Sequence, residues 1–381
     1  MAATSAADDP RADRRATSEW GLAVERVEVV RRHDGDAIPD SEPELRRLAE
    51  HPLIGPTLLL LPGAVGALDG GGKAMTAASA LPGARTCPLT APDIAGAKGA
   101  QTPLVMVTAY DAPSARVVDA AGVDMILVGD TLAMVVLGYD NTLQVSTDDM
   151  AHHVGAVART HPHALIVGDL PWMSYHVSRE ETVRNAAQLI RAGAGAIKLE
   201  GGRKRLDAIS AILDAEIPVM GHLGLTPQSI HAIGGFKVQG KQLDAARRIV
   251  DDAVALAEAG CFAIVLECVP DGVARMVTDA VGVPTIGIGA GRHCDGQVLV
   301  YHDLLGFEDR LHPRFVRRYA ELGADATAAV ARFADDVRRG TFPSSDETYH
   351  MTDQLDDAMD EYATDDVTDL SETDQDHSLS N

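Results

Sequence analysis

AIKLEGG, residues 196 to 202, places Lys198 and Glu200 two residues apart inside a short run that otherwise resembles a buried strand. In an extended strand, residues i and i+2 point to the same face, so the ammonium and the carboxylate share one environment. A solvated strand would accommodate both groups easily. The run nevertheless follows an Ala-rich helical stretch in a chain that repeats this pattern many times, which argues against a solvated strand.

From about residue 104, short apolar runs alternate with stretches that carry apolar residues at helical spacing. Continuous apolar strands between helices are typical of an α/β protein with a parallel sheet, and eight is the number that closes a (β/α)8 TIM barrel. A doubly wound sheet is the alternative, but it explains less well why polar residues stand at the C-terminal ends of nearly all the runs. The runs are LVMVTAY (104–110), MILVGD (125–130), ALIVGDL (164–170), AIKLEG (196–201), PVMGHLG (218–224), FAIVLECV (262–269), PTIGIGA (284–290) and QVLVYHD (297–303).

The regions on either side of the barrel differ from it. Residues 1–74 show no clear rhythm of elements and are interpreted as an N-terminal extension, with the hypothesis that translation starts at Met75 and that the barrel domain spans 75–343. Residues 312–340 are predicted to form two helices that close the barrel domain. Residues 344–381 contain 13 Asp and Glu and no Lys or Arg, so they are predicted to form a disordered acidic tail.

Charge and composition narrow the class of function. The formal net charge is −23, but the acidic tail supplies more than half of it, so the barrel itself is only mildly acidic. No basic patch offers contacts to phosphates, and we therefore expect no binding to nucleic acid or to membranes. The scarcity of Lys relative to Arg is consistent with a halophilic, high-salt cytoplasm or with codon bias alone. Four cysteines without C-x-x-C spacing and a charged N-terminus predict a soluble, cytoplasmic protein.

Polar residues at the strand ends define the candidate site, because an eight-stranded α/β barrel forms its active site there. They are Asp111, Asp130 with Thr131, Asp169, Lys198 with Glu200, His222 and Glu267. Five carboxylates in a dry pocket would repel one another, so the pattern predicts a hard divalent cation, most simply Mg²⁺. Taken alone, Asp111 or Asp130 could equally be a helix cap or half of a buried ion pair.

Two further motifs have simpler interpretations. GIGAG (287–291) lacks the βαβ context of a dinucleotide-binding turn and is interpreted as loop geometry. His152 and His153 are predicted to lie on a helix that faces the barrel or a neighbouring subunit, because nothing near them has metal-ligand spacing.

Six stretches of the barrel carry a family resemblance. They are VGDTLAMVVLGYDNTLQVSTDDMAHH (128–153), GDLPWMSYH (168–176), AGAGAIKLEGG (192–202), VMGHLGLTPQSIHAIGGFKVQGK (219–241), VLECVP (265–270) and IGIGAGRHCDGQVLVYHDLLG (286–306). Over about residues 100 to 343 the chain resembles the ketopantoate hydroxymethyltransferase (3-methyl-2-oxobutanoate hydroxymethyltransferase) family. The resemblance implies a Mg²⁺-dependent barrel that transfers a one-carbon unit from 5,10-methylenetetrahydrofolate to 3-methyl-2-oxobutanoate in pantothenate and coenzyme A biosynthesis. It also implies a homo-oligomer, often a decamer of two pentameric rings.

The resemblance further implies roles for individual residues. The metal-binding carboxylates fall on Asp130, Asp169 and Glu200, the substrate contacts fall on Asp130, Thr131, Asp169 and Lys198, and the proton acceptor falls on Glu267. Thr131 departs from the pattern, because many family members have Ser after the same Gly-Asp pair. The hydroxyl is kept, although the added methyl alters the fit.

The residue types suit this chemistry on physical grounds. A 2-oxo acid can chelate Mg²⁺ through its keto and carboxylate oxygens, which stabilises the enolate formed when a base such as Glu267 removes the C3 proton. His222 could orient ligands, shuttle a proton or simply pack at the barrel mouth. Two alternatives stay open: a Mg²⁺-dependent lyase or mutase of the phosphoenolpyruvate and pyruvate barrel class, which needs no folate, and a catalytically silent assembly subunit.

Overall fold

The eight apolar runs form eight parallel strands that close into a barrel in chain order, with β8 pairing back to β1. The computed structural model describes residues 87–307, 313–352 and 354–360, so the extension over 1–74 and the suggested start at Met75 lie outside it. The prediction of a (β/α)8 barrel is confirmed, and the closure excludes an open doubly wound sheet. The strands are β1 Leu104–Thr108, β2 Met125–Val128, β3 Leu165–Asp169, β4 Ala196–Glu200, β5 Val219–Gly224, β6 Ala263–Glu267, β7 Thr285–Ile288 and β8 Gly296–Leu299.

Helices lie between the strands and after them. In chain order they are α1 Ala91–Ala95, α2 Ala112–Ala120, α3 Leu132–Val135, α4 Thr147–Ala158, α5 Arg179–Ala192, α6 Leu206–Asp214, α7 Ile230–Ile233, α8 Leu243–Glu258, α9 Asp271–Ala280, α10 Tyr301–Leu305 and α11 Leu322–Arg339. The run predicted as the eighth strand ends early, since β8 stops at Leu299 and helix α10 begins two residues later.

The glycines before β4 show why the sequence turns from helix to strand at this point. Helix α5 begins after Ser178, whose side chain accepts a hydrogen bond from the Glu181 amide, and it ends at Gly193 with a positive φ of 113°. A Cβ at Gly193 would lie 2.4 Å from the Ala158 Cβ, and one at Gly195 would lie 2.7 Å from Leu165 Cδ1. Gly193 therefore requires glycine, because of its positive φ and the close approach of Ala158, whereas a side chain at Gly195 would have to displace the end of the Leu165 side chain.

The barrel interior is filled by alternate residues of its strands. One buried cluster contains at least one residue from each strand, including Leu165 and Val167 of β3 and Ala196 of β4. The next inward positions on these two strands are Asp169, Lys198 and Glu200. Strands β3 and β4 thus contribute apolar side chains to the lower layers of the interior and charged ones to the top layer. The shared environment predicted for Lys198 and Glu200 in AIKLEGG is therefore the inside of the barrel.

The region after the barrel differs in part from the prediction. Within residues 312–340 only α11 is helical among the described residues, and residues 313–321 form turns and irregular backbone, so the prediction of two closing helices is wrong. Pro313 lacks an amide donor and disfavours helical backbone before it. In the acidic tail, Ser345–Glu347 form a 3-10 turn and residues 354–360 are helical and exposed, while residues 361–381 lie outside the described part. No helix in the described ranges is long and apolar enough to cross a membrane.

Candidate active site

The predicted site residues come together at the carboxyl-terminal end of the barrel. Asp169, Glu200 and Glu267 are the last residues of their strands, and the strand register places Asp169 beside Lys198 and Glu200 beside His222. Asp130 follows β2 by two residues, and its amide approaches Asp169 Oδ2 at 3.3 Å. Charged residues are rarely this buried unless they are paired or bind a ligand. The relative exposures are 2% for Asp130, 1% for Asp169, 3% for Lys198, 4% for Glu200 and 3% for His222.

Lys198 is the positive centre of this cluster. Its Nζ lies 2.8 Å from Asp169 Oδ2. Burial alone would lower the pKa of Lys198, but attraction from Asp169, Glu200 and Asp130 outweighs it and raises the pKa above its ordinary value. The ammonium is therefore charged at neutral pH.

The carboxylates outnumber this positive charge. Burial and the neighbouring Asp169 raise the pKa of Asp130 to about 7, against the opposing effects of Lys198 and Gln228. Burial and the charge of Asp130 also raise the pKa of Glu200 well above its usual range. The cluster consequently favours the binding of additional positive charge, because one ammonium does not neutralise the carboxylates around it.

Glu267 and His222 form the other side of the cluster. His222 Nε2 lies 3.2 Å from Glu267 Oε2, although this contact is poorly aligned for a hydrogen bond. His222 Nδ1 lies 3.4 Å from Lys198 Nζ, which can only donate, so the histidine proton belongs on Nε2, facing Glu267. Burial and the Lys198 charge lower the pKa of His222 well below its usual value, so the ring is neutral. Burial raises the pKa of Glu267 to about 7, with Lys198 opposing the shift.

A cavity of about 450 Å³ opens beside these residues. Glu267 and Thr131 line it, and the Thr131 hydroxyl lies 2.8 Å from the Tyr110 hydroxyl. Most of the wall is apolar, with contributions from Leu225, Phe236, Val238, Ile288 and Phe315, while Lys237, Asp303 and Arg314 add charged groups. Glu267 keeps 17% of its side chain exposed and is thus accessible from the cavity. A volume and lining of this kind are typical of a small-molecule pocket.

The structure also shows where Asp111, the GIGAG loop and His153 lie. Asp111 is exposed and caps helix α2, accepting a hydrogen bond of 2.7 Å from the Ser114 amide, so its inclusion among the pocket carboxylates is wrong. In GIGAG, Gly289 has a positive φ of 64°, and a Cβ there would lie 2.8 Å from the Phe315 ring. Phe315 packs over this loop, which agrees with the interpretation of GIGAG as loop geometry. His153 faces the barrel, with Nδ1 2.6 Å from the Tyr110 carbonyl oxygen.

Sequence reasoning missed Gln228 and Tyr175. Gln228 lies in the 3-10 turn Pro227–Ser229 after β5, and its Nε2 donates to Asp130 Oδ2 at 2.9 Å. Its backbone amide donates to Glu200 Oε2 at 3.0 Å, and its Oε1 accepts from the Tyr175 hydroxyl. The signal in the sequence was a polar residue in a loop directly after a strand, but glutamine is too common in loops to be singled out by that alone.

The closed parallel barrel and the buried acid–lysine cluster at its carboxyl-terminal end define the class of protein: a (β/α)8-barrel enzyme. A model of the family described as ketopantoate hydroxymethyltransferase matches residues 88–345. The chain belongs to this family, and the resemblance predicted from its motifs is confirmed.

Curated relatives agree with the family. A protein of Nitratidesulfovibrio vulgaris (strain DP4) named 3-methyl-2-oxobutanoate hydroxymethyltransferase is 55% identical over 267 residues, which cover 70% of this chain and 87% of the relative. Relatives with the same name from Ignicoccus hospitalis and Moorella thermoacetica are 59% and 53% identical, covering 63% and 68% of this chain and 91% and 97% of their own. Among solved structures, a phosphonopyruvate hydrolase in complex with oxalate and Mg²⁺ is 16% identical with a TM-score of 0.46, covering 73% of this chain and 98% of that one. This last similarity is too loose to bear on function.

Proposed function

We propose that this protein transfers a hydroxymethyl group from 5,10-methylenetetrahydrofolate to 3-methyl-2-oxobutanoate, giving 2-dehydropantoate (ketopantoate) for pantothenate and coenzyme A biosynthesis. Family membership supports the reaction. The observation that carries it is the position of Glu267, which lies between the buried Lys198 cluster and the apolar cavity. An anionic 2-oxo acid at the cluster would meet a one-carbon donor from the cavity at this carboxylate.

The proposed roles follow from the geometry. Lys198 faces the carboxylate and keto oxygens of the substrate, and the Thr131 hydroxyl contacts it from the end of β2. Glu267 accepts the proton from C3, because its raised pKa makes it a base of useful strength near neutral pH. C3 then forms a bond to the methylene carbon of the folate as the bond from that carbon to one folate nitrogen breaks, and this nitrogen receives the proton removed from C3. Water forms the C–O bond as the second C–N bond breaks, its proton goes to that nitrogen, and tetrahydrofolate leaves. The cavity next to Glu267, with its apolar walls, is the proposed site of the pterin ring.

The carboxylates also suit a divalent cation, and Asp130, Asp169 and Glu200 are the proposed ligands. Asp169 Oδ1 is buried without a hydrogen-bond partner among the described residues, and oxygen donors of this kind prefer Mg²⁺. Within the same residues no group of three or more His, Cys, Asp or Glu side chains is arranged to hold an ion as it stands, and Lys198 Nζ lies 2.8 Å from Asp169 Oδ2. When bound, Mg²⁺ would neutralise the substrate anion and favour loss of the C3 proton.

The proposed reaction is tested with the purified full-length chain, both substrates and MgCl₂, at low and at molar salt. We expect ketopantoate, detected by mass spectrometry, that depends on the folate and on the divalent cation. Turnover of the 2-oxo acid without folate would instead favour the lyase or mutase alternative. Absence of ketopantoate at both salt concentrations would overturn the proposal.

The raised pKa of Glu267 predicts a pH dependence for proton removal. A base must be deprotonated to act, so the rate of C3 hydrogen exchange with D₂O is expected to rise with pH up to about 7 and to level off above it. Lys198 and neutral His222 face Glu267, and neither changes charge in this range. Saturating Mg²⁺ is used, because a bound cation holds Asp130 deprotonated. A rate measured by NMR that is flat between pH 5 and 8 would contradict the assignment.

The assembly and the location remain proposals. We propose a homo-oligomer, with a decamer as the family's usual form, in the cytoplasm and without nucleic acid or membrane partners. Helix α11 supports self-association, because it exposes Val330, Phe333 and Val337 by 66%, 52% and 48%. A halophilic, high-salt source stays a prediction from the composition, with codon bias alone as its alternative.

A further inference from the structure

One glutamine connects the ends of three neighbouring strands. Gln228 is 6% exposed, and its Nε2 donates to Asp130 Oδ2 and to the Leu170 carbonyl oxygen, both at 2.9 Å. Its backbone amide donates to Glu200 Oε2 at 3.0 Å. From a turn after β5, Gln228 therefore contacts Asp130 after β2, Leu170 after β3 and Glu200 at the end of β4. Gln228 does not line the substrate cavity, so these contacts lie outside it.

Tyr175 determines which way the amide of Gln228 points. The Tyr175 hydroxyl accepts a hydrogen bond of 3.2 Å from the Glu200 amide, so its own proton is free to donate to Gln228 Oε1. The oxygen and nitrogen of the glutamine amide are thereby assigned, and both hydrogens of Nε2 are used. A buried polar network with all its donors and acceptors satisfied has one low-energy arrangement.

The neutrality of this donor matters for the carboxylates it holds. An ammonium or guanidinium at the same place would fix Asp130 but would also neutralise it and compete with a cation. A glutamine amide fixes the orientation of the carboxylate and leaves its negative charge in place. Groups that hydrogen-bond to metal ligands in this way orient them and strengthen binding.

We infer that Gln228 is a positioning residue that orients Asp130 and Glu200 for a divalent cation, with Tyr175 locking the orientation of its amide. The inference rests on the cation site of the proposed function. It assigns no contact with the reacting atoms to either residue.

The test measures Mn²⁺ binding directly, by electron paramagnetic resonance without substrate, so it is independent of turnover. Gln228→Met keeps the length of the side chain and the backbone amide that donates to Glu200 but removes both hydrogen bonds of Nε2, and we expect its dissociation constant for Mn²⁺ to rise by about 10- to 100-fold. Tyr175→Phe removes the donor that fixes the Gln228 amide and also the acceptor of the Glu200 amide, but it leaves both Nε2 donors in place, so we expect a smaller rise of about threefold to tenfold. If Gln228→Met does not fold, Tyr175→Phe carries the test alone.

The matched control is Gln188→Met. Gln188 also donates through Nε2 to an aspartate, Asp148 Oδ1 at 2.6 Å, but on the exposed surface. Its dissociation constant for Mn²⁺ is expected to equal that of the parent. An unchanged constant in folded Gln228→Met and Tyr175→Phe, with lowered unfolding temperatures, would show a merely structural role and overturn the inference. A parent that binds no Mn²⁺ would overturn the cation site and the inference together, whereas a parent that binds Mn²⁺ but forms no ketopantoate would overturn only the proposed reaction.

Discussion

Glu267→Gln is expected to lower the rates of ketopantoate formation and of C3 hydrogen exchange by a factor of about 10² to 10⁴, the usual contribution of a positioned general base. Glutamine has the same size and can still pack at the end of β6, but it cannot accept a proton. Because Lys198 and Asp169 keep their 2.8 Å ion pair, the variant should still bind the 2-oxo acid and the cation. We therefore expect the loss in kcat and little change in substrate affinity.

The matched control for this variant is Glu258→Gln, an exposed glutamate on helix α8. It should retain the parent rates of both reactions. The neutral His222, with Nε2 3.2 Å from Glu267 Oε2, is the alternative base, and its unprotonated Nδ1 would accept the proton. If C3 exchange survives in Glu267→Gln and disappears in His222→Gln, the proton acceptor is the histidine and the assignment of Glu267 is wrong.

The fold and most of the site could be predicted because one rule governs both. Alternation along a strand puts Lys198 and Glu200 on the same face whether or not the partner strands are known. Eight apolar runs predict closure, and closure brings Asp169, Lys198 and Glu267 to one end of the barrel. Period-two alternation and the number of strands can both be recognised in the sequence, so they can be predicted without knowing which residues are in contact.

What the sequence did not reveal depends on side-chain direction after a strand has ended. Asp111 and Asp130 both follow strands closely, yet Asp111 turns outward to cap a helix and Asp130 turns inward to the cluster. Loop backbone has no fixed period, so spacing cannot distinguish the two. Gln228 escaped notice for the same reason, since its four hydrogen bonds reach across strands that are distant in sequence. Residues 313–321 were likewise predicted as part of a helix, but their backbone forms turns and irregular structure.

Lys198→Met is expected to lower the free energy of unfolding by about 3 to 5 kcal/mol in the absence of divalent cations, because removing one partner of a buried ion pair leaves the other uncompensated. The side chain is 4% exposed, and the charged ammonium faces Asp169, Glu200 and Asp130. Methionine fills nearly the same volume, so packing is largely preserved and the loss reports on charge. Urea unfolding at fixed protein concentration measures it.

Two comparisons separate charge from packing in this result. Adding Mg²⁺ should restore part of the lost stability of Lys198→Met, because a cation that binds the folded state stabilises it and here also replaces the missing positive charge. The double variant Lys198→Met with Asp169→Leu should recover stability too, since replacing both partners of a buried pair by apolar groups is often close to neutral. Exposed Lys204→Met, on the 3-10 turn Arg203–Arg205, is the control and should unfold as the parent does. A loss below about 1 kcal/mol, the range of exposed ion pairs, would mean that Lys198 does not compensate the carboxylates.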